Sequence, residues 1–565
     1  MINDQLKNKI EKLFSEKKYE ELIAITDKYI QHNERSPGLA CLIGTCIILK
    51  KQKTDSDIVS ALSYFEEGIS KGGNSDNGLS GVVNYINISL KAARRKPSFL
   101  PFIKKAEKFY FQTEKYFEKH PQFLSAGKNL FWFQLDNKNL KKVTDQISLN
   151  EKSSISEKSS SLFFQNYFYS YSQKEYTDKV KKNSLLFPKY NVQKKFDQIN
   201  LEQKKIINIG FVSADFTDQH STFYFLKNTL EFLDNKKFKI FLFSYNRGNN
   251  KLLGQEKIKN LCNEFIDLDK YDNQDSIKII QEKNIDILFD IMGYSFIERL
   301  QIFNSRIAPI QISWLATCNT VGLDNIDYMI ADKNLIPPNE EQLYPEKILK
   351  LPEIWNAHCG FDHKREIYKS PCETKDYFTF GSFNNFHKIS DEVVLSWSKI
   401  LKQCEKSKLI LKSSTFDCND HILREKFKDF GIEDRVDILS LRNYPHKKDH
   451  LNVYKEVDFC LDTFPYNGVT TTFEALWMGV PVLVLKGFNF NSNCGYSIIK
   501  NSKFDQLISN NSEEYINKAV YFYKNKNEFL QLRKNLNKTI LSTSLFDTKK
   551  FSKNFGESLL SIINY

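Results

Sequence analysis

One stretch limits what this chain can fold into more than any other: Val457–Lys486, VDFCLDTFPYNGVTTTFEALWMGVPVLVLK. Val457–Leu461 is a short apolar run and Pro481–Leu485 is a second, rich in β-branched residues, with a helical stretch between them. Strand, helix and strand in so short a span imply a parallel pair joined by a crossover. A Pro-Tyr-Asn-Gly turn, Pro465–Gly468, precedes Thr470, Thr471 and Thr472. Thr470 or Thr471 is a fitting N-cap, and Glu474 falls in the first turn of the helix that follows. Such a helix start offers backbone N–H groups, hydroxyls and a positive dipole end to one point, which suits a diphosphate. Glu474 at the same mouth can accept from a ribose hydroxyl, as an acidic residue does in nucleotide-binding βαβ units. An ordinary capped helix in an α/β sheet satisfies the same pattern.

The alternation extends upstream. From Lys205, the segments Ile206–Val212, Phe238–Phe243, Ile285–Phe289 and Ile310–Leu315 read as buried strands, with helices such as Phe223–Leu233 and Asp275–Lys283 between them. A second series starts at Phe378 and runs through Leu409–Lys412, Val436–Leu439, Phe459–Leu461 and Pro481–Leu485. The expectation is two Rossmann-like domains in tandem, each a doubly wound parallel sheet, with ligands beyond the C-terminal strand ends in the cleft between them.

The N-terminal part reads as helix pairs. Leu6, Ile10, Leu13 and Phe14 fall at helical spacing, as do Leu22, Ile25, Tyr29 and Ile30. Further pairs are Leu39–Leu49 with Ala61–Ile69 and Val82–Ala93 with Phe102–Phe117, separated by turns holding Pro37, Gly72-Gly73 and Pro97. A period of roughly 34–42 residues approaches that of tetratricopeptide hairpins, although the signature small and aromatic positions are poorly kept. Such an array either presents a concave surface to a protein or peptide, or is a layer that covers the catalytic part. LNEKSSISEKSSS, residues 149–161, reads as a polar loop, and a helical segment over Leu162–Leu186 follows. The organisation is a helical region over 1–200, a Rossmann-like domain over 201–370 and a second over 371–565.

Composition narrows the partners. The formal charge of +12 comes mostly from lysine spread along the chain without a dense basic block, which fits a solvated surface better than a nucleic-acid one. The first residues lack an apolar signal core, and no apolar run approaches a membrane span, so no signal peptide and no membrane segment are expected. The ten cysteines form neither a CxxC pair nor a Cys/His cluster with zinc-ligand spacing, so a cytoplasmic protein with reduced thiols and no metal site is expected.

Five ordered segments carry a family resemblance: IGFVSADFTDQHS (Ile209–Ser221), RIAPIQISWL (Arg306–Leu315), IDYMIAD (Ile326–Asp332), FGSFNNFHKIS (Phe380–Ser390) and LDTFPYNGVTTTFEALWMGVP (Leu461–Pro481). Together they resemble glycosyltransferase family 41, the protein O-GlcNAc transferases and SPINDLY proteins. The resemblance runs from about residue 205 to the end, and the helical N-terminus fits the family's tetratricopeptide region. It implies a GT-B fold and metal-independent transfer of a sugar from a nucleotide sugar to Ser or Thr of a protein acceptor. It also implies a donor-binding set of Asn385, Lys388, Pro445, Lys447, His450, Val469, Thr470, Thr471, Thr472 and Glu474. Lys388 matches the family's essential lysine, and chemically a lysine there can neutralise a departing diphosphate in an enzyme without a metal. His220 matches a histidine once proposed as the general base. A base, a positioning residue and a structural histidine remain open readings for it.

The departures concern the sugar. WLATCNT, Trp314–Thr320, stands where the family often has WLGYPGT, so Ala316 and Asn319 bear on donor identity. Val469 and Val453 replace a His and an Arg of the animal enzymes, and FGSFNN and FPYNGVTTT are closer to SPINDLY. UDP-GlcNAc leads as donor, with GDP-fucose and UDP-glucose as the alternatives.

Overall fold

Two parallel sheets occupy most of the chain beyond residue 205. The computed structural model describes all residues except 1–3, 31–34, 169–171, 193–195, 197–200, 219, 246–253, 363–364, 414–418, 441–445 and 564–565. The first sheet contains β1 (Ile207–Ser213), β2 (Phe238–Ser244), β3 (Glu264–Asp267), β4 (Ile287–Asp290), β5 (Ile310–Ser313), β6 (Tyr328–Asp332) and β7 (Lys347–Leu351), in the order β3-β2-β1-β4-β5-β6-β7. The second contains β8 (Phe378–Ser382), β9 (Ser407–Ser413), β10 (Val436–Ser440), β11 (Phe459–Leu461), β12 (Val482–Leu485) and β13 (Ile508–Ser509), in the order β10-β9-β8-β11-β12-β13. Neighbouring strands pair parallel throughout. This is the GT-B arrangement that the resemblance implies. The winding direction reverses between β1 and β4 and between β8 and β11, where open α/β sheets form their ligand crevices.

The central strands are buried on both faces, so they read as continuous apolar runs. Four strands were not assigned from the sequence: β3, β6, β7 and β13. β3 and β7 lie at sheet edges with half-exposed residues, and β13 has two residues.

The chain divides into two units. One holds the helices up to Ser154; the other holds both sheets, from Ile155 onward apart from residues 416–423. In the first unit the helix Asp55–Gly72 packs against Pro37–Leu49 and Asp76–Ala93. Its Gly68 permits the approach, because a Cβ there would lie 2.3 Å from Cys41 Sγ. The array continues through Pro121–Phe133 and Asn137–Leu149, with Phe123 stacked on Tyr110 at 4.4 Å.

Two segments belong elsewhere than the sequence suggested. Residues 155–161 are not loop: a helix spans Ile155–Gln165. Its Ser159 and Ser161 are buried through hydrogen bonds, Ser161 Oγ to Glu157 O at 2.9 Å and Asn183 Nδ2 to Ser159 Oγ at 2.9 Å, so apolar periodicity does not reveal it. That helix and Gln173–Ser184 insert Leu162, Tyr176 and Val180 into the core that also holds Val212, Phe243 and Leu288 of the first sheet. The last helix, Thr548–Ile563, also returns to the first sheet, where Phe555 lies 5.8 Å from the Phe289 ring and 4.8 Å from Trp314.

Candidate active site

The loop after β11 is organised by one carboxylate. Asp462 Oδ1 accepts from Thr463 N–H at 2.9 Å, Gly468 N–H at 2.8 Å and Asn384 Nδ2 at 3.1 Å. Asn384 Oδ1 in turn accepts from Thr471 Oγ1 at 2.8 Å. The loop after β8 is thereby tied to the helix Thr470–Trp477. Gly468 is required at this crossing: a Cβ would lie 2.4 Å from Thr471 Oγ1 and 2.7 Å from Asn384 Oδ1. Burial pushes the Asp462 carboxyl up to about 7, against the pull of Gly468 N–H, Lys388, Thr463 N–H and Asn384.

Lys388 extends from the loop after β8 over the Tyr466 ring, 3.9 Å from its centroid, and donates to Asn467 O at 2.8 Å. Burial pushes its ammonium below the ordinary lysine range, and the negative charge of Asp462 partly offsets this. At the other end, His450 Nε2 and Glu474 Oε2 are 2.9 Å apart, and Tyr454 OH donates to Thr471 O at 3.2 Å. The buried Lys412, last but one in β9, donates to His450 O at 2.7 Å and lies over Phe383 at 4.5 Å.

The first sheet supplies the opposite wall. His220 caps the helix Ser221–Glu231, with Nδ1 accepting from Thr222 N–H at 3.3 Å, and its Nε2 stands 3.8 Å from Asp215 Oδ2. Both residues line the same cavity, of about 460 Å³, as Lys388, Lys412, Tyr466 and Glu474. That volume is within the range of small-molecule sites. Phe163 closes it from the helix Ile155–Gln165. Beside it, Asn166 joins the two sheet domains, accepting from Asn319 Nδ2 at 3.1 Å and, through its carbonyl, from Asn491 Nδ2 at 3.1 Å.

Of the residues named from the sequence, His220, Asn385, Lys388, His450, Val469, Thr470, Thr471 and Glu474 line this cavity. Thr472 does not: it is buried, and its hydroxyl donates to Gly468 O at 2.9 Å. Pro445 lies outside the described residues; Lys447 begins the helix Lys447–Asn452, and its side chain lies outside the described ones. The expected threonine cap is absent. Val469 occupies the N-cap and no side chain caps the helix, because the Thr471 and Thr472 hydroxyls are bonded to Asn384 and Gly468. The helix therefore opens its first N–H groups toward the cavity, and Glu474 is in its second turn rather than its first. Asn319 is not at the cavity either: it is buried and accepts from Gln173 Nε2 at 3.0 Å, whereas Ala316 and Cys318 do line it. Sequence reasoning missed Asp215, Lys412, Tyr466 and Phe163. Asp215 was within reach, two residues past β1 in a quoted motif. Lys412 was too, as a lysine ending the apolar run LIL.

Among the described residues no group of three His, Cys, Asp or Glu is placed to hold a metal, and no helix is long and apolar enough to cross a membrane.

Comparison with known proteins fits this geometry. The chain is 31% identical over 382 residues to the "Probable UDP-N-acetylglucosamine–peptide N-acetylglucosaminyltransferase SPINDLY" of Solanum lycopersicum, covering 65% of this chain and 39% of that protein. It is 28% identical over 379 residues to the Arabidopsis thaliana protein of the same description named SEC, covering 64% and 37%. The chain thus spans about two fifths of the length of these relatives. In fold it is similar to a mutant of Thermobaculum terrenum O-GlcNAc transferase, with a TM-score of 0.74, 21% identity and coverage of 90% and 94% of the two chains. The model of Glycosyl transferase family 41 matches residues 137–370 and 362–555, both sheets with the helices before them, and this chain belongs to that family.

Proposed function

We propose that this chain transfers a sugar from a nucleotide sugar to Ser or Thr of a protein, with inversion and without a metal, in the cytoplasm. One observation carries the reading: Lys388 and the uncapped start of the helix Thr470–Trp477 line the same cavity. A half-buried ammonium and a helix N-terminus together stabilise the charge that develops on a departing diphosphate. Glu474 takes the ribose hydroxyls, and His450 and Lys412 form the wall at the base. The acceptor hydroxyl enters from the opposite wall, where the His220–Asp215 pair faces the sugar. His220 in this arrangement positions: its Nδ1 is used as a helix cap, which directs Nε2 toward Asp215.

UDP-GlcNAc leads as donor because the relatives, proteins much longer than this chain, are named for it. GDP-fucose and UDP-glucose are the alternatives, because Ala316 and Cys318 line the cavity in a loop that departs from the family pattern. Calorimetric titration with the three donors selects among them, and binding of none overturns the reading. Incubation of a cell lysate with labelled donor in the presence of a chelator then tests the rest. Label on protein supports it; label on small molecules alone, or loss of transfer with the chelator, contradicts it.

A further inference from the structure

Asp462 does more than the turn it caps requires. Three donors satisfy Oδ1, whereas Oδ2 is buried with no hydrogen-bond partner among the described residues. It faces Gly495, where a Cβ would lie 2.6 Å away, so the helix Phe490–Ser502 is indented at this position to make room for it. A buried carboxylate oxygen without a donor is costly unless its charge is used elsewhere. The charge it acts on is that of Lys388: Nζ donates to Asn467 O, the residue before the Gly468 whose N–H Asp462 Oδ1 accepts, and the ammonium is itself desolvated.

We propose that Asp462 is the positioning residue of the diphosphate site: it holds the Gly468 turn and Asn384 together, and its negative charge keeps the half-buried Lys388 an ammonium ion. The inference rests on the reading of the cavity as a nucleotide-sugar site. The other titratable groups around the pair are Tyr466, whose ring lies under Lys388 at 3.9 Å, Cys460 in β11, Cys318 and Cys494, which act on Lys388, and Tyr515 of the helix Ser512–Lys524, which donates to Asp462 O at 2.9 Å. Burial pushes the thiols of Cys460 and Cys494 up, whereas the hydrogen bond with Cys494 and the Lys388 charge pull that of Cys318 down; the Asp462 carboxyl, pushed up to about 7, is ionised at alkaline pH.

Asp462→Asn retains an acceptor for the Thr463 and Gly468 N–H groups and removes the charge. UDP and GDP binding is measured by calorimetry for wild type and variant from about pH 7 to about pH 10, where titration of the probe itself is common to both proteins. The expected result is an alkaline loss of affinity that begins about one pH unit lower in the variant. A loss at the same pH in both proteins overturns the proposal, and so does a uniform weakening at every pH, which is what a purely structural role predicts. Gly495→Ala presses a methyl group against Oδ2 and shifts the loss in the same direction; if Asp462→Asn does not fold, an unshifted loss in Gly495→Ala overturns the proposal. Failure of wild type to bind either nucleotide refutes the donor-site reading, and this inference with it.

Discussion

Lys388→Ala separates a structural lysine from one that serves the reaction. In the free protein the side chain donates to Asn467 O at 2.8 Å and lies over Tyr466 at 3.9 Å. The hydrogen bond is worth about 1 kcal/mol and the cation–π contact about 1–2 kcal/mol. Against these stands the cost of desolvating the ammonium, which its lowered basicity registers. The two sides oppose each other, and the Asp462 carboxyl left without its cation takes up a proton near pH 7, so the fold should lose no more than about 2 kcal/mol. The reaction has no such compensation. A fixed donor aimed at the charge of the leaving group is worth about 2.7–4 kcal/mol, so turnover falls on the order of 10²–10³-fold. The assay is release of nucleoside diphosphate from the donor selected by calorimetry, with melting temperature measured in parallel. Turnover within about threefold of wild type at an unchanged melting temperature would refute the leaving-group role.

Three further outcomes follow from named contacts. Glu474→Gln removes the charge beside His450 and should weaken nucleoside diphosphate binding about tenfold while inorganic diphosphate binds as before; equal effects on both ligands would place Glu474 at the phosphates instead. Gly479→Ala forces a side chain onto a residue at φ +76°, with its Cβ 1.8 Å from Asn537 Oδ1, and should cost about 2–3 kcal/mol in denaturant unfolding, a value that a neutral result would contradict. Asp332 accepts from Ser497 Oγ at 2.6 Å and Trp355 N–H at 3.1 Å, and burial pushes its carboxyl from 3.8 to about 6. A folded value above the unfolded one means that its contribution to stability is fully present below pH 3.8 and is lost as pH rises through about 6. In Asp332→Asn the drop in melting temperature between about pH 4 and about pH 6 should therefore be smaller than in wild type, and an equal drop would contradict the assignment.

The sheet cores were legible because buried parallel strands are apolar along their whole length. Phe459–Leu461 was read at its observed bounds, and Phe238–Ser244 and Val436–Ser440 were read to within a residue. What escaped had weaker apolar signals. Glu264–Asp267 is an edge strand of only four residues with an acidic residue at each end, and Ile155–Gln165 buries serines that satisfy their hydroxyls by hydrogen bonding. At the site, spacing brought out the residues at the start of the helix Thr470–Trp477, since turn and threonines lie together in the chain. It did not show that no hydroxyl caps the helix, because Thr471 is bonded to Asn384, a residue 87 positions away. Phe163 carried no signal for the same reason: its place in the wall is set by how the preceding helix docks on the first sheet.

That docking decides where the two-sheet part of this chain can be cut. A fragment begun at the first strand would look complete by sheet topology, yet it would lack one wall of the cavity and the asparagine that bridges its two lobes. It would also expose the apolar seat left by Leu162, Tyr176 and Val180, and such a surface favours aggregation during expression. The shortest soluble, ligand-competent piece should begin no later than Ile155.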